Sequence, residues 1–164
     1  MSGNVTSDPP AEPALRVDTR EELVYLLGQA CEIEHGLMCE YLYAQFSLKR
    51  STDERLTPDQ LARVQAWELT LVDIIKQEML HLALATNLLT AVGAAPHFER
   101  PNLPIRSRWY PPEVQLAFLP FGEQALRHFM YLERPEGMTL ADAEEERTGR
   151  PSRIARWMAP LMHG

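Results

Sequence analysis

Two long stretches of this sequence each open on a helix cap and then run for about thirty residues without a breaker, which leaves few folds open. Thr19-Arg-Glu-Glu22 has the pattern of a capping box, in which the Thr hydroxyl and the Glu carboxylate satisfy each other's orphan backbone amides. Beyond it only Gly28 and Gly36 interrupt good helix formers before Ser51, so a helix is expected over 19–49. Thr57-Pro-Asp-Gln60 starts again with a cap, a proline at the first helical position and an acid in the first turn. That second helix is expected to run to Val92 and stop at Gly93. Two such helices joined by a short polar loop make an antiparallel hairpin about 45–50 Å long, and hairpins of that length build all-α bundles.

The rest of the chain is less regular. Residues 1–14, rich in Ser, Asn, Asp and Pro, read as a disordered lead, and 15–136 as one helical domain. His97 to Pro112 is proline-rich and reads as an irregular connection packed along the hairpin. A shorter third helix is expected from about Pro120 to Arg134, closed by Pro135. Residues 137–164 read as an irregular tail with short helices near Thr139 and Ile154. No strand-like alternation and no repeat is visible.

Composition narrows the function. The 164 residues suffice for one compact domain, and a net charge of −7 with no dense Lys/Arg run argues against nucleic acid or an anionic membrane as partner. Apolar runs break well before the eighteen or so residues of a membrane span, and the polar, proline-bearing start lacks the pattern of a secretory signal. The expected location is the cytoplasm. Cys31 and Cys39 lie about 12 Å apart along one helix, too far for a disulfide, and read as small core thiols.

The informative residues are the ionisable ones that fall on faces expected to be apolar. In the second helix the stripe is Leu61, Val64, Leu71, Ile74, Ile75, Leu82, Ala85, Leu89 and Val92, and Glu78 lies about 20° from Leu71. His81, one turn on, makes Glu78-Met-Leu-His81 a Glu-x-x-His pair aimed into the core. In the first helix the stripe is Leu23, Leu27, Ala30, Leu37, Tyr41, Ala44 and Leu48, and Glu34 lies about 20° from Tyr41. Glu32 and His35 repeat the spacing but project away from the stripe, and Glu40 sits on its flank. Glu133 shares a face with Leu126, Phe129 and Met130 of the third helix. Burying such groups without partners is costly. A metal would satisfy them, and so would a hydrogen bond between carboxylate and imidazole. Carboxylates with one imidazole and no thiolate suit iron or manganese better than structural zinc.

At these residues the sequence resembles a known family. The segments around Glu34-His35-Gly-Leu-Met-Cys-Glu-Tyr, Glu78-Met-Leu-His81-Leu-Ala-Leu-Ala and Phe129-Met-Tyr-Leu-Glu133-Arg-Pro135 are similar to the ferritin-like domain of iminophenyl-pyruvate dimer synthases. The same domain occurs in the large violacein-pathway enzyme. The resemblance covers about residues 15–140. It implies a ferritin-like helical bundle with Glu34, Glu78, His81 and Glu133 as metal ligands. The metal would be iron, as one ion or a di-iron pair, with manganese as the alternative, and the chemistry oxidative, on a small amino-acid-derived metabolite. Such bundles have four main helices, and the fourth is incomplete here, so either the sequence is a truncated form of a longer four-helix protein or self-association or a partner helix is expected to finish the bundle. The alternative is a non-catalytic helical interaction module in which Glu78 and His81 form a core hydrogen bond.

Overall fold

The computed structural model describes residues 16–110 and 114–133. Among them are three α-helices, α1 (Arg20–Phe46), α2 (Pro58–Ala91) and α3 (Glu123–Leu132), one 3₁₀ turn at Thr52–Glu54 and no strand. A lone antiparallel bridge pairs Ile105 with Leu116. The expected lead over 1–14 and the tail over 137–164 lie outside the described residues. None of the helices is long and apolar enough to cross a membrane.

The chain divides into two compact units, Val17–Ala125 and a second made of Met1–Arg16 with Leu126–Gly164. The first holds the hairpin. Both capping boxes form: Thr19 Oγ1 accepts from the Glu22 amide at 3.1 Å, and Thr57 Oγ1 accepts from the Gln60 amide at 3.2 Å. α1 ends at Phe46, three residues earlier than expected. Ser47 stops it: its hydroxyl donates to the Ala44 carbonyl and accepts from the Phe121 amide, at 2.7 and 2.6 Å. α2 ends as expected beside Gly93, which adopts a φ of 76° that few other residues take without strain.

The two helices run antiparallel in a fixed register. Arg20 at the start of α1 donates to the carbonyls of Val92 and Gly93 past the end of α2, at 2.8 and 2.9 Å. At the other end Gln45 donates to Glu68 at 2.7 Å, and Arg50 binds the same carboxylate. The numbers of Arg20 and Val92, and of Gln45 and Glu68, sum to 112 and 113, so the chain reverses near residue 56. Counting levels from residue 53 puts Glu34 and Glu78 almost two turns out of step. The loop supplies the difference, because Thr52–Glu54 coils into a turn and Arg55 takes a left-handed conformation before α2 begins.

Between the helices, Cys31, Leu82, Ala85 and Leu89 form a buried cluster, extended by Tyr41, Ala44, Leu71 and Ile75 along the hairpin. Cys31 is fully buried and its Sγ lies 3.6 Å from Thr86 Oγ1; both cysteines are free thiols. The linker after Gly93 is pinned to the outward face of α1. His35 Nδ1 donates to the Phe98 carbonyl at 2.9 Å, and His97 Nε2 donates to Glu32 Oε1 at 3.1 Å. The off-stripe Glu32 and His35 therefore fasten the linker. α3 is shorter than expected at both ends, and in it Ala125, Phe129 and Tyr131 are buried.

Candidate metal centre

Glu34 and Glu78 come from the facing sides of α1 and α2, and their numbers sum to 112, matching the register set at the hairpin's ends. His81 Nδ1 lies 3.3 Å from Glu34 Oε2 and 3.4 Å from Glu78 Oε2. One donor atom of each residue lies within 4.8 Å of the others. Both His81 contacts exceed the 2.7–3.2 Å of a well-formed N–H···O bond, and one N–H shared between two oxygens bonds each of them weakly. Glu34 Oε2 is buried yet accepts no hydrogen bond among the described residues. A core hydrogen bond between imidazole and carboxylate leaves this oxygen unexplained.

The residues present fit a metal ion. Two carboxylates and an imidazole are hard and borderline donors, and neither cysteine belongs to the group. Donors about 2.1 Å from one ion are at most about 4.2 Å apart, so the trio would need to draw in by only a few tenths of an ångström.

Burial across the trio is uneven. Glu78 is 6% exposed, as its place on the stripe requires, whereas the His81 side chain is 50% exposed. The sequence reading aims both into the core; the structure sets His81 at the rim. Three residues advance a helix by about 300°, so His81 stands about 60° round from Glu78, toward the side where Leu80, Leu84 and Leu88 are exposed.

Glu133 follows the last residue of α3, is exposed, and its amide donates to the Phe129 carbonyl at 3.0 Å. It belongs to the second compact unit. Glu40, placed on the flank of α1 by the helical period, is 1% exposed. Gly36, four residues earlier, is buried too, so the covered arc of α1 is wider than its apolar stripe. His97 was not visible as a functional candidate, since nothing near it in sequence points to Glu32.

Comparison with known proteins agrees with this architecture. A family model described as ferritin-like matches residues 27–157. The 2-imino-3-(indol-3-yl)propanoate dimerase of Chromobacterium violaceum is 30% identical over 156 residues, covering 82% of this chain and 16% of that protein. The dichlorochromopyrrolate synthase of Lentzea aerocolonigenes is 30% identical over 145 residues, covering 76% and 14%. The chain thus spans under one-fifth of the length of these curated relatives. No solved structure matches it. Because the matched region takes in most of α1, all of α2 and every residue of the trio, the chain belongs to the ferritin-like family.

Proposed function

We propose that this chain is an iron-binding domain of the cytoplasm that takes part in oxidative chemistry on a small amino-acid-derived metabolite, as the names of its two relatives suggest. The observation that carries the reading is the convergence of Glu34, Glu78 and His81 around a buried carboxylate oxygen that accepts no hydrogen bond. Iron held there would supply redox change and oxygen activation, with manganese as the alternative ion. Glu34 and Glu78 supply the anionic oxygens and His81 the imidazole. Buried Glu78 sets the inner side of the trio away from water, while the half-exposed His81 marks the side from which a small molecule approaches. Glu133 enters as a fourth ligand on the sequence resemblance alone. The exposed row Leu80, Leu84 and Leu88 beside His81 is the apolar surface that a second copy of this chain or a partner helix would cover.

Metal analysis of protein purified without chelators tests the proposal. Near-stoichiometric iron or manganese, lost in Glu78→Ala and reduced in Glu133→Gln, is expected. A metal-free protein of unchanged stability, before and after incubation with either ion, refutes the reading and leaves the helical interaction module.

A further inference from the structure

Between the outward face of α1 and the linker lies a cleft of about 260 Å³, walled by Gln29 and Glu32 on the helix and by Ile105, Arg106, Arg108 and Trp109 on the linker. It is separate from the metal centre: Glu32 projects about 160° round α1 from Glu34. The charge in this cleft runs against that of the chain. In a protein of net charge −7, residues 100–108 carry three arginines and no acid, and two of the three line the cleft.

Neither of those two has an anionic partner among the described residues. Arg108 lies over the rings of Tyr25 and Trp109, 4.8 and 4.5 Å from their centroids, which orients its guanidinium without neutralising it. Arg106 forms no ion pair among the described residues, and the one carboxylate in the cleft wall, Glu32, accepts from His97 and Gln29. Beside the two guanidinium groups, Ile33, Ile105 and Leu116 give the cleft an apolar side.

We infer that this cleft binds a small organic carboxylate with an apolar, ring-sized body, its carboxylate held by Arg106 and Arg108 and its body laid against Ile105, Leu116 and Trp109. Guanidinium groups match a planar carboxylate through paired N–H donors, which a neutral amide cannot reproduce. The volume falls just below the 300–1,000 Å³ of drug-sized sites, so it takes one such molecule and not a coupled pair. The inference does not rest on the metal reading.

Isothermal titration of the full chain with 3-phenylpropionate and with 3-phenylpropionamide tests it. Saturable binding of the acid is expected, with the amide weaker by about tenfold or more, since it lacks the charge that strengthens hydrogen bonds from guanidinium. Arg106→Gln, at an exposed position, should weaken the acid by a similar factor. Chelation and Glu78→Ala should leave acid binding unchanged. The inference is overturned by no saturation up to about 10 mM, by equal affinity for acid and amide, or by binding indifferent to Arg106→Gln. Loss of acid binding on chelation or in Glu78→Ala also overturns it, because the carboxylate would then sit at the metal centre. Should Arg106→Gln fail to fold, the acid–amide contrast in the unaltered protein decides alone.

Discussion

Replacing Glu34 with glutamine separates a carboxylate that awaits a cation from one that holds the fold together. The donor atoms of Glu34 and Glu78 lie no more than 4.8 Å apart. Two unit charges at that distance repel by about 3.5 kcal/mol at an effective dielectric of about 20, and by about 1 kcal/mol in bulk water. The variant keeps the shape and removes one charge. It also loses the contact from His81, which at 3.3 Å and half in solvent offsets less than about 1 kcal/mol. In chelator at about pH 8, Glu34→Gln should therefore be as stable as the unaltered chain or more so, by up to about 2.5 kcal/mol. For a chain of this length that is a Tm rise of up to about 10 °C. Adding iron(II) or manganese(II) at about 100 times its Kd should stabilise the unaltered protein by about 2.7 kcal/mol, again about 10 °C, and the variant by far less. Differential scanning fluorimetry in chelator and in metal reads both effects, and the order of the two melting curves should invert. A variant more than about 1 kcal/mol less stable in chelator, together with a parent indifferent to metal, would refute the reasoning.

Arg20→Ala should lower stability by about 1–2 kcal/mol in urea titration, because both hydrogen bonds from its charged guanidinium to the end of α2 disappear and that end loses its complementing cation. Glu22 is held below its ordinary value of 4.5 because the amides of Asp18 and Thr19 donate to its carboxylate. Its contribution is thus complete above that value and lost as pH falls through the lower folded one, so the Tm gap between the unaltered chain and Glu22→Gln should close on acidification below about 4.5. Burial pushes the Cys39 thiol up, and Cys31 is fully enclosed. With a disulfide reagent, Cys39 should react slowly and faster at higher pH, while Cys31 should react only on unfolding.

The hairpin was legible in the sequence because its signals are local: each capping box involves residues three apart, and Gly93 needs no partner to end a helix. Glu34 and Glu78 were legible because the helical period fixes which way a side chain points. What the period cannot supply is how far cover extends round a rod. It set Glu40 on a flank that the fold buries, and it aimed His81 inward where the fold leaves a rim. The level of Glu34 against Glu78 depended on three loop residues and one left-handed Arg55, which no pattern of apolar residues encodes. The fastening of Glu32 to His97 joins positions 65 apart, and only the folded chain brings them together.

That fastening makes one turn of α1 a shared mounting. Residues 32 and 35 are bolted to the linker, and residue 34, between them, faces the other rod. A change in linker length between Gly93 and His97 would twist the bolts and, with them, the carboxylate of Glu34. The length of that stretch is therefore tied to the aim of Glu34, because His97 and Phe98 at its end hold residues 32 and 35. Substitutions there should be felt first as a loss of aim in Glu34, well before the hairpin itself loosens.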